Sequence, residues 1–295
     1  MSTCCIILNY NDSETTLTLL RQIKNHRDLD YIVIVDNLST DNSYEVIKKF
    51  KSNRIHVLLA EYNGGYGYGN NLGIRYSYEQ LNADYILIAN PDVAFSNECV
   101  IELRKILQED KKCAISAAVP LKPNGRRQKV IAWKLPKLKE EIISASMILS
   151  RLAGLEIRYD YKEFSNKKKA YVDVVQGSML MLDAKIMIKY GMYDEEFFLY
   201  YEEQVLAQKM KKHNFKSVLL LNQSYIHNHS VSITKSYKSI VKRRKLLLDS
   251  KLLYLKKYHN LHGIKLSLTK IFFFLTLGET WLISIINNFR RKKDI

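Results

Sequence analysis

Between Cys4 and about Val119, short apolar runs rich in β-branched residues alternate with stretches whose apolar positions recur at helical spacing. CCIILNY, YIVIVD, IHVLLA and DYILIAN are the apolar runs, and the segments after the first two read as helices ending near Asn25 and Phe50. Three of these runs are apolar almost throughout rather than alternating, as expected of strands covered on both faces. This βαβα order predicts an α/β fold in which a mostly parallel central sheet is flanked by helices. Ligands of such sheets sit beyond the carboxyl ends of the strands. The residues at those ends are polar: Asn9-Tyr10-Asn11, Asp36-Asn37, Asn63-Gly64-Gly65 and Asn90-Pro91-Asp92.

The pattern then loosens. Residues 120–170 carry Pro120, Pro123-Asn124-Gly125, Pro136 and a Lys167-Lys168-Lys169 run, and read as a loop-rich excursion. An ordered block follows: YVDVVQGSMLML as one strand, GMYDEEFFLYYEEQVLAQKMKKHNF as a loop entering a helix, and KSVLLLN as a strand. After about Thr234 the chain turns helical and basic, and from Ile271 to Ile286 it is apolar apart from a few polar residues, Glu279 among them.

Composition fits a folded chain large enough for a sizeable core: 295 residues, 47% apolar, with 11 Gly and 4 Pro. The four cysteines, Cys4, Cys5, Cys99 and Cys113, lack zinc-site spacing, and two sit in an apolar strand, so buried reduced thiols of a cytosolic protein are expected. MSTCCIILNYND has no basic leader and only a short apolar core, so it does not read as a secretory signal. The formal charge of +16 is unevenly spread. Residues 1–210 hold 28 Lys+Arg against 27 Asp+Glu, whereas residues 211–295 hold 18 against 3. A uniform nucleic-acid-coating surface is therefore not expected.

Five constellations can carry chemistry, and each has a plainer structural reading. Asn90-Pro91-Asp92 closes a strand; Asp92 can ligate a hard divalent cation, or the tripeptide is simply a turn. Asp36 ends YIVIVD too early to cap the next helix, a task for Asp41 or Ser43, and can accept hydrogen bonds from a nucleobase or ribose. The Gly-rich stretch from Asn63 to Gly73 departs from the dinucleotide fingerprint, because Asn70 stands where the third glycine would fall. It remains a closely approachable loop or a helix-entry turn. Glu202-Glu203 follows an aromatic run at a helix start, where a carboxylate is either a desolvated general base or a complement to the helix dipole. His227-Asn228-His229 offers two imidazoles, as metal ligands or as ordinary histidines.

Taken in order, ILNYND, VIVDNLSTDNS, YNGGYGYGNNLGI, YILIANPDV, VVQGSMLML, GMYDEEFFLYYEEQVLAQKMKKHNF and HNHSVS resemble the inverting family 2 glycosyltransferases of the GT-A fold, particularly the bacterial rhamnosyltransferase-like branch. The resemblance spans residues 4–233 and implies a GT-A catalytic domain over 1–233, followed by a basic helical extension over 234–295. It implies a nucleoside-diphosphate sugar donor, dTDP- or UDP-linked, bound by Tyr10, Asn11, Asp36, Asn63, Gly64, Gly65, Asn71 and Asn90. Asn90 takes the place of the first carboxylate of the family's DXD motif, leaving Asp92, with His227 or His229, to hold Mg²⁺ or Mn²⁺. Gln176, Gly177 and Ser178 would line the acceptor site. The family's Glu-Asp catalytic pair appears as Glu202-Glu203, which makes Glu203 the general base with one methylene more than the usual Asp. The implied reaction moves a sugar, with rhamnose as the candidate, to a hydroxyl of a lipid-linked glycan in bacterial surface polysaccharide synthesis.

The segment KSYKSIVKRRKLLLDSKLLYLKKYHN suits an amphipathic helix on an anionic membrane, reached through residues 235–295. The run 271–286 is sixteen residues, shorter than the ~20 a spanning helix needs, so an interfacial or protein-buried helix is expected. The expected location is cytoplasmic, peripheral on the inner face of the plasma membrane. A helical cap on the catalytic domain, or a homodimer contact, is the competing account of the same segment. A nucleotidyl-transferring enzyme and a nucleic-acid-binding protein are the rival functions; no reading motif supports the second, and nucleic acid is not an expected partner.

Overall fold

The computed structural model describes residues 1–164, 166–228 and 239–293, with side chains to Ile286. Eleven strands are present among them: β1 (Thr3–Asn9), β2 (Tyr31–Asp36), β3 (Ile55–Leu59), β4 (Tyr85–Ala89), β5 (Val93–Ala94), β6 (Cys113–Leu121), β7 (Ala132–Trp133), β8 (Lys169–Val172), β9 (Val174–Val175), β10 (Met179–Asp183) and β11 (Lys216–His227). The longer helices of the first half are α1 (Ser13–Ile23), α2 (Ser43–Ile47), α3 (Gly65–Glu79) and α4 (Asn97–Glu109). Two short ones, α5 (Leu138–Ile143) and α6 (Met147–Leu152), interrupt the excursion after β6. They are followed by α7 (Ala184–Ile186), α8 (Glu202–Lys212), α9 (Ile240–Tyr258) and α10 (Gly263–Lys293).

The main sheet runs β3-β2-β1-β4-β10-β6-β11-β5, with β8 also on β11. Its first four strands are parallel, β10 is antiparallel to both neighbours, and β11 is parallel to β6. Inward-facing residues on both sides explain the unbroken apolar runs. Cys5, Ile7, Ile32, Ile34 and Leu87 pack on one side with α1 and α4, while Cys4, Ile6, Val33, Val35 and Ile86 face the other with Ile74 of α3. All four cysteines are buried and free, and burial pushes the Cys4, Cys99 and Cys113 thiols up to about 12, so they act as small apolar core residues.

Register decides what meets at the strand ends. Asn9 pairs with Asp36, Asp36 with Leu59, and Ile7 with Ala89, so the turn after β4 emerges beside the ends of β1 and β2. YVDVVQGSMLML is not one strand. It breaks at Asp173 and again at Gln176–Ser178, and β9 leaves the main sheet to pair with β7. The cap of α2 is Asn42, with the Asp41 carboxylate accepting the Ser43 N–H at 2.9 Å, so the expected capping role falls to the turn rather than to one cap residue.

The chain divides into two compact units. The first comprises Met1–Leu135, Arg158–Phe198 and Glu202–His229; the second gathers Pro136–Ile157, Leu199–Tyr201 and Ser230–Ile295. Within the second, Lys251 of α9 is buried against Glu141 of α5 at 3.1 Å, donates to Ser144 Oγ at 2.6 Å, and shares that carboxylate with the Tyr201 hydroxyl at 2.8 Å. Helix α10 is reversed in its polarity. Its buried stripe is Thr269, Phe273, Thr276 and Thr280, whereas Ile264, Leu268, Ile271, Phe274, Leu275 and Trp281 are more than half exposed. Each of the three threonine hydroxyls donates back to a carbonyl of its own helix, at 2.8 to 3.0 Å. Helix α6 adds exposed Met147, Ile148, Leu149 and Leu152, and its Ile148 N–H donates to Glu279 Oε1 at 2.8 Å, which accounts for an acid inside an apolar helix. The apolar stretch expected over 271–286 is therefore only the latter part of a 24-residue segment, Gly263–Ile286, long and apolar enough to cross a membrane by length and composition.

Candidate active site

Four backbone features converge on the carboxyl edge of the sheet. The first is the Asp36 turn. Asp36 is fully buried; Oδ2 accepts from Asn9 Nδ2 at 2.7 Å and Ser39 Oγ at 2.8 Å, and Oδ1 accepts the Ser39 N–H at 2.7 Å. Asn11, with φ +50°, accepts the Thr40 N–H on its own Oδ1 at 2.7 Å and ties β1 to the same turn. Tyr10 is 38% exposed beside it.

The second is the glycine loop. Asn63 Oδ1 accepts from Asn37 Nδ2 at 2.9 Å and from the Gly65 N–H at 3.2 Å, which closes the turn into α3. Gly65 has φ +83°, and a Cβ there would lie 2.0 Å from Phe198 O, so this backbone approach requires glycine. The Tyr66 N–H donates to that same carbonyl at 3.0 Å. A Cβ on Gly64 would lie 2.5 to 2.7 Å from Tyr68 Cγ, Cβ and Cδ1, the backbone end of that side chain, so this position too leaves no room without a shift. Asn71 does not face this loop: its side chain bonds both the backbone of Tyr193 and Glu195 Oε1, pinning the segment that leads to α8.

The third feature is the turn after β4. The Asn90 N–H donates to Ser178 O at 2.8 Å, and Asp92 is 8% exposed. Strand β11 runs antiparallel to β5 and carries His227 to Asp92, with Nε2 3.5 Å from Oδ1. One anionic oxygen and one imidazole nitrogen thus converge, a donor pair suited to Mn²⁺ or Mg²⁺. Among the described residues no group of three or more His, Cys, Asp and Glu is placed to hold a metal, and Asp92 and His227 are the two of these types that meet here. His229 lies outside the described residues.

The fourth is the break in the β8–β10 run. Gly177 N–H donates to Glu203 Oε1 at 3.2 Å, its carbonyl accepts from the Tyr66 hydroxyl at 2.7 Å, and Ser178 Oγ is 2.6 Å from the Tyr225 hydroxyl. Residues 176–178 therefore join three pieces: the Asn90 turn, the aromatic lining and Glu203. A Cβ on Gly177 would lie 2.9 Å from Glu203 Oε1, so the glycine lets the carboxylate reach the backbone. Burial raises the Glu203 pKa, opposed by the N–H groups of Glu203 and Gly177. The buried Tyr66 and Tyr193 hydroxyls rise too, chiefly from burial and partly through the carboxylates of Glu202 and Glu203. The chain enters α8 through Tyr200 and Tyr201, at φ +72° and +75°, a pair of left-handed bulky residues.

Tyr66, Tyr193 and Tyr225, which line this cluster, were not among the sequence candidates. A phenol is a common core residue, and nothing in the sequence pattern marked these three.

A mostly parallel sheet with polar residues at its carboxyl edge, an Asp–His pair there and carboxylates at the start of the helix Glu202–Lys212 suit a GT-A fold, and solved structures share that fold. GalNAc-T7 with UDP, GalNAc and Mn²⁺ superposes with a TM-score of 0.60 at 12% identity, over 79% of this chain and 44% of that one. The mannosyltransferase PcManGT of Pyrobaculum calidifontis, in complex with GDP-Man and Mn²⁺, gives 0.57 at 11% identity, over 88% and 65%. The S. aureus TarS 1-349 complex with UDP-GlcNAc gives 0.53 at 15% identity, over 92% and 70%. The chain belongs to glycosyl transferase family 2, whose family model matches residues 4–189. It is similar to the low-salt glycan biosynthesis hexosyltransferase Agl10 of Haloferax volcanii, 28% identical over 266 residues, covering 89% of this chain and 80% of the relative. It is also similar to the rhamnosyltransferase WbbL of Escherichia coli (strain K12), 25% identical over 207 residues, covering 64% and 75%.

Proposed function

We propose that this glycosyltransferase moves a hexose or deoxyhexose, with rhamnose as the candidate, from a nucleoside-diphosphate donor to a hydroxyl of a lipid-linked glycan, with inversion. The observation that carries the reading is the bridge at 176–178, which ties the proposed base Glu203 to the turn bearing Asp92. Asp36 and the Asn11 turn, rather than Asn71, form the nucleoside end. Asp36 does so through the turn it organises and the lone pairs its three bonds leave.

Asp92 and His227 fit a divalent cation in charge and donor type, and would hold Mg²⁺ or Mn²⁺ together with the donor's diphosphate. Bound there, the ion supplies positive charge against the departing nucleoside diphosphate. The protein's own steps follow from Glu203. Gly177 N–H fixes Oε1, leaving Oε2 to accept the proton of the acceptor hydroxyl. The acceptor oxygen bonds to the anomeric carbon as the bond from that carbon to the diphosphate oxygen breaks, and the proton stays on Glu203. Tyr66, Tyr193 and Tyr225 keep their protons because burial raises their pKa, and they exclude water around the carboxylate.

The membrane reading draws support from the second unit. A water-exposed amphipathic helix hides its apolar face. α10 does the reverse, burying small hydroxyl residues that satisfy themselves and exposing large apolar ones, which suits hydrocarbon as its solvent. At about 1.5 Å per residue, the 24-residue segment Gly263–Ile286 spans roughly 36 Å. On this reading a helix partly in hydrocarbon, with α6 beside it, stands where the sequence alone led to the expectation of an interfacial or protein-buried helix.

Thermal-shift screening of the full chain with UDP-, dTDP- and GDP-sugars plus Mn²⁺ tests the donor reading. One nucleotide series should raise Tm in a Mn²⁺-dependent way, and no shift with any of the three would count against it.

A further inference from the structure

The near-neutral sum over residues 1–210 hides a second basic region. Residues 111–139 hold nine Lys or Arg and no Asp or Glu. Four of the nine, Lys122, Arg126, Arg127 and Lys129, lie on the hairpin that leaves β6. The hairpin is tightly built: Leu121 and Arg127 bridge antiparallel, the Lys122 N–H donates to Arg126 O at 2.7 Å, the Gly125 N–H donates to Lys122 O at 2.9 Å, and Gly125 sits at φ +74°. All four cations are exposed, and no salt bridge to any of them is found among the described residues. Arg127 stacks its guanidinium on the Tyr161 ring at 3.6 Å, which braces the hairpin from one side.

The base of the hairpin is fastened to the active site. Gln128 is 6% exposed, and its Oε1 accepts from Gln176 Nε2 at 3.1 Å; the same Nε2 donates to Val130 O at 2.5 Å. The next residue after Gln176 is Gly177, whose N–H holds Glu203. Gathering like charge without acids is unfavourable unless an anion is to be met, and Arg and Lys side chains in a fixed turn suit phosphate oxygens. The donor's diphosphate has its own polar end at Asp92 and His227, reached from residue 178 through the Asn90 turn. The hairpin departs from residue 176 instead, through a side-chain bond.

We propose that Lys122, Arg126 and Lys129 bind the phosphate groups that join an acceptor glycan to its lipid, presenting the glycan hydroxyl to Glu203. The proposal rests on the reading of the acceptor as lipid-linked and of residues 176–178 as its site.

Farnesyl diphosphate serves as the probe, with farnesol as the uncharged control. Binding to the full chain is measured by calorimetry in detergent with Mn²⁺ and saturating UDP, so that the donor's diphosphate site is filled. The wild type should bind farnesyl diphosphate but not farnesol. The triple variant Lys122→Ala/Arg126→Ala/Lys129→Ala, which leaves the Arg127 stack in place, should bind it at least tenfold more weakly, with UDP affinity within twofold of wild type and an unchanged Tm. Arg126→Lys should retain most of the binding. Unaltered farnesyl diphosphate binding by the triple variant would overturn the proposal, and so would a parallel loss of UDP affinity, which would assign the hairpin to the donor. Glu203→Gln should bind the probe normally, so an inactive Glu203 variant and a failed hairpin are told apart.

Discussion

Replacing Glu203 by Gln separates catalysis from folding in opposite directions. The amide keeps the size of the side chain and can still accept the Gly177 N–H through Oε1, now at 3.2 Å, but it cannot take a proton. A positioned general base contributes about 10²- to 10⁴-fold, so kcat should fall by that range while Mn²⁺-dependent donor binding stays near wild type. Folding should respond the other way. Burial raises the Glu203 pKa above its ordinary 4.5, so the contribution of this group to stability is full below the unfolded pKa and is lost as pH rises through the folded one. At pH values above the folded pKa the wild type has lost that contribution and the uncharged amide has nothing to lose, so Glu203→Gln should there melt at the same temperature or higher. The wild-type kcat/KM for the acceptor should rise with pH through a midpoint above 4.5, since the deprotonated form is the base. Glu203→Asp withdraws the carboxyl by one C–C bond, about 1.5 Å, which breaks the Gly177 contact and costs about 10²-fold. Release of nucleoside diphosphate in a coupled assay gives the rates, and thermal shift gives the stabilities. A Glu203→Gln enzyme within tenfold of wild-type kcat, or one whose inactivity tracks a lowered Tm, would refute the role.

Asp92→Ala should weaken Mn²⁺-dependent donor binding at least tenfold in a thermal-shift titration while changing metal-free Tm little; full activity in EDTA would sink the metal mechanism. Gly65→Ala places a Cβ 2.0 Å from the Phe198 carbonyl at φ +83°, so denaturant unfolding should show a loss of at least the ~1–3 kcal/mol of a left-handed non-glycine residue, and an unchanged midpoint would show that the two loops do not meet. Lys251→Met leaves Glu141, 2% exposed, without its cation; chemical denaturation should register a loss of about 3–5 kcal/mol, and adding Glu141→Leu should restore much of it. A double variant no better than the single one would mean that the ion pair is not the source.

The strand runs declared the first half of the sheet because both their faces are buried, which makes pattern and burial the same statement. Asp36 and Asp92 stood out in the sequence for a related reason, as carboxylates at and just beyond the ends of apolar strands, and the structure buries both there. Asn71 has partners that sequence does not show: its two amide N–H groups donate to Tyr193 O and Glu195 Oε1 and its oxygen accepts the Tyr193 N–H, all from residues more than a hundred positions away. The three-way break at 172–179 was hidden by residue type, since Val174, Val175 and Met179 are as apolar as any strand interior. What distinguishes them is the pairing of β9 with β7, a non-local choice that local propensity does not encode.

Charge and periodicity mislead for a common reason, that each was summed over too long a window or against an assumed solvent. The balance of 28 cations and 27 anions in residues 1–210 is real, yet it is made of an acid-free basic stretch at 111–139 and acidic stretches elsewhere, including Asp194-Glu195-Glu196 and Glu202-Glu203. On the proposed reading, a site that binds an anionic donor through a cation and then removes a proton needs carboxylates at its centre, and an anionic acceptor needs basic groups at its edge. Neutrality over residues 1–210 is what those two demands would leave after cancelling. In α10 the apolar positions do have helical periodicity, but the stripe faces away from the protein, and the Thr269, Thr276 and Thr280 stripe that faces inward reads as polar. On the proposed membrane reading, the solvent of this helix is lipid, and reading it against water assigns its faces backwards. The same positions therefore make a sharp test: Leu268→Ser/Leu275→Ser should release the full chain from phosphatidylglycerol vesicles in a flotation assay without lowering its Tm in detergent, whereas a face packed against protein would lose stability instead.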